Sequence, residues 1–193
     1  MENRNYWPFA PAQRFKITSG KGAAEHGINA FDFALMNAGI SDYNLVKISS
    51  ILPPRSTESH QLPPKGSALQ TAYVQVTSNQ FGAVLAAGVA VGIPKDKTKI
   101  GVIMEDHYGY QERVVQHYRS GQEEKDYIET TRIYLENKAK ISREEMLLRL
   151  KHDVKIAMLA RNLEIAEIKT SVVTDYIMDA EQFHAVIAAV SIW

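Results

Sequence analysis

The sequence predicts an α+β fold with helices laid on the faces of mainly antiparallel sheets. Segments of β character occupy the start, middle and end of the chain. The helical segments bunch together instead of alternating one for one with strands. Scale agrees: 193 residues, 45% of them hydrophobic and 23% charged, suffice for a single domain, 1–193, with its own core.

Arg14 to Ser19 (RFKITS) alternates polar and apolar side chains, the period of a half-buried strand. Gly20, Gly22 and Gly27 then bracket a loop. Asn29 is placed to cap a short helix, AFDFALMNA, with Gly39 as its left-handed C-terminal cap. Asn44 to Ile51 (NLVKISSI) reads as a strand that Pro53 and Pro54 must stop. Residues 53–68 carry four prolines and form a surface loop. Leu69 to Ser78 is a further strand. Ala83 to Ile93 is almost wholly apolar and so buried on both faces, which leaves strand and helix both open.

Pro94 to Lys99 is a charged turn, and Ile100 to Glu105 is a strand ending in an acid. From Tyr108 to Asn162 the composition turns helical. Ser142 and Glu145 have the spacing of a capping box, followed by an apolar stripe of Met146, Leu150, Val154, Ala157 and Met158. Ile165 to Tyr176 and Phe183 to Trp193 are β-branched and aromatic enough to be strands.

Lysine plus arginine equals aspartate plus glutamate, 22 each, so no global field draws nucleic acid or an anionic membrane. The absence of cysteine excludes a disulfide scaffold, zinc ribbons and thiol nucleophiles. The N-terminus lacks a signal-like apolar core, and the longest apolar stretch falls short of the ~20 residues that span a bilayer. A cytoplasmic protein is expected.

The six histidines show no metal-ligand spacing, and neither GxSxG nor a P-loop is present. No metal is expected. Two features stand out. Ser49-Ser50 lies inside an apolar run directly before two prolines; by spacing alone, two hydroxyls bonded to nearby backbone explain such a pair. Glu105 closes the apolar run IGVIM. Solvated, it is an ordinary strand end; buried, its raised pKa makes it a candidate proton donor.

The segment NAFDFALMNAGISDYNLVKISSILPP (Asn29 to Pro54) resembles the pyruvoyl-dependent arginine decarboxylases. PKGSALQTAY (Pro64 to Tyr73), VAVGIPKDKTKIGVIME (Val89 to Glu105) and the final IAAVSIW agree with it. The resemblance covers nearly the whole chain except Asp106 to about Lys140.

The resemblance implies a four-layer αββα sandwich assembled as homotrimers, or a multiple, with sites between subunits. It implies that Ser50 Oγ attacks the Ser49 carbonyl and that the chain then splits into a β chain, 1–49, and an α chain, 50–193. Ser50 becomes a covalent pyruvoyl group, which replaces pyridoxal phosphate by forming an imine with the substrate amine. Position by position, Asn44 matches an asparagine beside the pyruvoyl group and Glu105 the acid that returns a proton. Asp32 matches the reader of the guanidinium; Ile28 and Ile51 match apolar walls.

L-Arginine would yield agmatine and carbon dioxide, a step of polyamine biosynthesis. The same chemistry on another amino acid, or an unprocessed non-catalytic trimer, are the alternatives. Residues 108–140 are expected to form a helical insertion outside the sandwich.

Overall fold

The structure, a computed structural model, describes residues 11–111 and 121–193. In chain order the elements are β1 (Arg14–Ala24), α1 (Gly27–Ala38), β2 (Asn44–Lys47), β3 (Ile51–Leu52) and β4 (Thr57–Glu58). There follow β5 (Ala68–Ser78), β6 (Ala83–Pro94), β7 (Gly101–Gln111), α2 (Gly121–Leu159), β8 (Ile165–Tyr176) and β9 (Phe183–Ile192). One sheet has the order β2-β5-β9-β1-β4 and the other β3-β7-β6-β8. Pairing is antiparallel except where β1 meets β4 and β2 meets β5.

Side-chain alternation builds four layers from these sheets. Val186, Ala188 and Val190 of β9 meet Leu85, Val89 and Val91 of β6 in the core between the sheets. The opposite face of β9, Ala185, Ile187 and Ala189, packs under Ala30, Ala34 and Ala38 of α1. The opposite face of β6 packs under Met146, Leu150, Val154 and Met158 of α2. The expected αββα sandwich is therefore present. It also settles 83–93 as a strand whose two faces are both covered.

Several local expectations are corrected. Gly20 and Gly22 lie inside β1 rather than in a loop, because α1 crosses that strand backbone to backbone. A Cβ at Gly20 would overlap Ala34 O and lie 2.5 Å from Ala38 N; one at Gly22 would lie 2.6 Å from Ala30 O. Gly20→Val should cost about 1–3 kcal/mol by overpacking, since the obstacle is helix backbone and not a movable side chain. A thermal melt unchanged from wild type would show that α1 shifts freely.

Helix α1 starts at Gly27, with His26 rather than Asn29 at the N-cap and no side-chain cap bond; Gly39 does close it, at φ 71°. Ser142 caps nothing. It is buried in the middle of α2, where its Oγ and the Tyr110 hydroxyl lie 3.0 Å apart.

Nor does all of 108–140 stand outside the sandwich. Tyr108, Gly109 and Tyr110 extend β7, where Tyr108 pairs with Ala86. Leu135 and Ala139 of α2 pack on Val84 of β6. Residues 112–120 of that stretch lie outside the described residues, as do residues 1–10.

Candidate functional site

Asn44 to Ile51 is not the single strand its composition suggests. β2 ends at Lys47 in one sheet and β3 begins at Ile51 in the other, so Ile48, Ser49 and Ser50 carry the chain across the sandwich. Ser49 is exposed and Ser50 half-buried.

Backbone bonds hold both ends of the crossing. Ile48 N donates to Thr71 O at 3.2 Å on the β5 side, and Ile103 N donates to Ser50 O at 2.9 Å on the β7 side. Between them, Ile51 N donates to Ser49 O at 2.9 Å. Ile51 itself is half-buried and pairs with Val102.

Glu105 is on the strand that receives this crossing. It lies two residues beyond Ile103, and Ile103 points into the core between the sheets. Strand alternation turns Glu105 the same way. Its Oε2 is buried without a hydrogen-bond partner. Burial pushes the carboxyl pKa up, while the charges of Lys47 and His107 oppose that rise. A carboxyl in this state holds its proton to higher pH than a free glutamic acid does.

Lys47 of β2 is a neighbour that sequence reasoning missed; its Nζ also lies 4.9 Å from the centre of the Tyr73 ring. A charge inside the otherwise apolar run NLVKI was the available signal.

Asn44 opens β2 but is turned toward the following loop. Its Nδ2 donates to Gly66 O at 2.9 Å and its backbone N to Ser67 O at 3.0 Å. Asp32 and Ile28 are not brought to the serines. Both are exposed on α1, which lies against the outer face of the β2-β5-β9-β1-β4 sheet. Within one chain that sheet stands between them and Glu105.

A cleft of about 300 Å³ opens beyond β3, lined among others by Leu52, Pro53, Arg55 and Lys97, and neither Ser50 nor Glu105 lines it. Among the described residues no cluster of three or more histidine, aspartate and glutamate side chains is placed to hold a metal ion. No described helix is long and apolar enough to cross a membrane.

The serine crossing and the unpartnered acid of β7 therefore form one local constellation, and α1 holds a second set of expected residues apart from it. The family described as pyruvoyl-dependent arginine decarboxylase (PvlArgDC) matches residues 14–193. A protein of Methanococcus vannielii with that same name is 44% identical over 52% of this chain and 62% of its own length. The corresponding protein of Methanocaldococcus jannaschii is 45% identical over 46% of this chain and 54% of its own length. That of Thermoplasma volcanium is 36% identical over 55% and 61%. The aligned segment thus spans under two thirds of each of these relatives.

Proposed function

Because this chain belongs to the pyruvoyl-dependent arginine decarboxylase family, we propose that it cleaves itself between Ser49 and Ser50 and decarboxylates L-arginine to agmatine. The observation that carries this reading is the position of Glu105. An unpartnered, partly desolvated carboxyl sits on the strand whose Ile103 amide holds the Ser50 carbonyl.

The residues present fit a pyruvoyl group formed from Ser50. Residue 50 lies at a break between strands, where a new chain terminus disturbs no ladder, and the serine supplies the three carbons. Such a group is an electron sink: it accepts the electron pair left when carbon dioxide departs.

Burial raises the Glu105 carboxyl pKa, which suits it to hand the product the proton it requires. Ile51, next in the chain, walls the site. Asn44 frames the start of the strand that leads to it.

Asp32 and Ile28 enter from another subunit. Ile28, Phe33 and Met36 on α1 and Val46 on β2 are exposed apolar side chains that association would cover. A homotrimer, or a multiple of it, brings α1 of one chain against the serine crossing of the next. Asp32 then meets the guanidinium of arginine, which stays charged at every physiological pH.

The direct test is a denaturing mass spectrum together with an assay of agmatine formed from L-arginine. Two fragments divided at 49–50 and agmatine production are expected; one intact, inactive chain overturns the proposal.

Asp32→Asn should leave cleavage intact. Removing one partner of a desolvated ion pair costs about 3–5 kcal/mol, so KM for arginine should rise a few hundred-fold or more. Citrulline, neutral and similar in shape, should be much less affected. Equal losses for the two compounds would make Asp32 structural. Mixed oligomers of Asp32→Asn and Glu105→Gln chains should regain activity, because some sites then draw both intact residues from different subunits. Mixed oligomers as inactive as the parent variants would place both residues in the same subunit.

A further inference from the structure

The cleft beyond β3 has a chemistry of its own. Leu52 and Pro53 form one wall of its volume of about 300 Å³, and Phe15, Ile93 and Pro94 extend the apolar floor. Phe15, Leu52 and Pro94 are buried, so the packing of the sandwich fixes this floor. Three exposed cations line the cleft as well: Arg55 from the β3–β4 loop, and Lys97 and Lys99 from the β6–β7 turn.

None of the salt bridges among the described residues engages Arg55, Lys97 or Lys99. The carboxylates nearby have other partners. Glu58 and Glu167 face Lys169, at 2.7 and 3.5 Å. Asp96 is folded into its own turn, where Oδ1 accepts bonds from Thr98 N at 2.9 Å and Thr98 Oγ1 at 2.6 Å. Those bonds, and after them the charges of Lys99 and Arg55, hold its carboxyl below the usual range. One carboxylate against three cations leaves positive charge in excess, in a chain whose net charge is zero.

The rim is tied down. Arg55 N donates to Lys97 O at 2.8 Å, Ser56 Oγ to Pro53 O at 2.7 Å, and Lys95 N to Glu164 O at 2.8 Å. Arg55 has φ 61°, in the left-handed region that a residue with a side chain enters at a cost. Glycine would hold the same turn without strain, yet an arginine stands there, lining the cleft.

We infer that this cleft binds a small organic dianion, two negative charges on an apolar body, at a site separate from the decarboxylation chemistry. The charges meet Arg55, Lys97 and Lys99, whose N–H groups suit the oxygens of carboxylates and phosphates alike. The carbon body covers Phe15 and Leu52. A cleft of about 300 Å³ holds a ligand of roughly ten non-hydrogen atoms, at ~30 Å³ for each water displaced. The cationic side chain of arginine is repelled here, and neither Ser50 nor Glu105 lines the cleft. The inference therefore stands whether or not the chain cleaves itself.

Calorimetric titration of the full chain with phthalate, phenyl phosphate, benzoate and inorganic phosphate tests it. Phthalate or phenyl phosphate should bind saturably and lose affinity as salt is added. Whichever binds tighter identifies the preferred head group, dicarboxylate or phosphate ester. Benzoate has one charge and inorganic phosphate no apolar body, so each should bind about tenfold more weakly or worse. The backbone amide signals of Leu52 and Gly101, both in the cleft wall, should shift with the ligand.

Arg55→Gly removes one cation and relieves the left-handed strain, so weaker binding there does not reflect a damaged fold. Its Kd should rise about tenfold or more, the usual effect of losing one charged hydrogen-bonding partner. Lys97→Gln combined with Lys99→Gln should act in the same direction. Any of four results overturns the inference: no saturable binding of either organic dianion, equal binding of inorganic phosphate, undiminished binding in both variants, or amide shifts centred on Glu105.

Discussion

On the proposed mechanism, Ser50→Ala should remain a single chain and form no agmatine. The substitution removes one oxygen, the atom proposed to attack the Ser49 carbonyl, and leaves the peptide, its neighbours and both bracketing bonds from Ile48 N and Ile103 N in place. No other hydroxyl can substitute through the same five-membered ring, because the ring requires an oxygen on the β carbon of the residue after the scissile bond. The loss should be complete and not partial: without cleavage there is no ketone to act as electron sink, and a carboxylate left without one does not depart at a useful rate.

Denaturing mass spectrometry reads the first half of this expectation. Borohydride labelling of the larger fragment, positive in wild type and absent in the variant, reads the second. The melting temperature should stay close to that of an unsplit wild-type chain, since Ser50 is only half-buried. A Ser50→Ala chain that still splits at 49–50 would sink the mechanism.

Glu105→Gln separates the two reactions in the other direction. Glutamine keeps the shape but has no proton to give, so the chain should split normally and then lose about 100- to 10,000-fold in turnover. Agmatine production by the split variant, compared with wild type at saturating arginine, measures that loss. A split variant with undiminished turnover removes Glu105 from its role.

Stability should move the opposite way. Burial raises the Glu105 pKa, so the native state binds this proton more tightly than the unfolded chain. Stability from this group is full below the unfolded pKa. It declines as pH rises from there through the raised native value, and levels off above it. The glutamine of the variant cannot ionise, so above that window Glu105→Gln should melt no lower than wild type. A melt well below wild type above that window would show that the carboxylate contributes structurally, beside Lys47.

The layers were legible in the sequence, the connections less so. The β-rich composition of 69–78 and 183–193 implied strands, and the structure places them there; the unbroken apolar run 83–93 implied burial on both faces but left strand and helix open until its pairing with β7 and β8. Composition could not reveal that NLVKISSI is divided between two sheets, because both halves have the same β-rich character. The division is enforced by pairing, β2 with β5 and β3 with β7.

Gly20 and Gly22 looked like loop residues because their use is tertiary: they admit the backbone of α1. Ser142 looked like a cap because Ser and Glu at that spacing are ambiguous until the preceding turn is known to be helical. At the site, Ser50 and Glu105 could be picked out as a serine and an acid in apolar surroundings. Asp32 and Ile28 could not be joined to them by any argument within one chain, since the first sheet lies between.

The crossing of the sandwich at 48–50 has one last implication, for the order of events in the life of the molecule. Residues 14–49 contribute β1 and β2, which flank β5 and β9 on opposite sides of a single sheet. The precursor threads this arrangement with the continuous chain as its guide. Once the 49–50 bond is gone, the same arrangement is a complex of two polypeptides, and refolding from denaturant becomes a bimolecular reaction. Recovery of the mature protein should therefore depend on its concentration, as it does for an obligate dimer, whereas the unsplit Ser50→Ala subunit should rebuild its sandwich without that dependence. With the proposed cleavage, maturation is a ratchet: the chain is cut after it has folded, and the cut product has lost the path by which it got there.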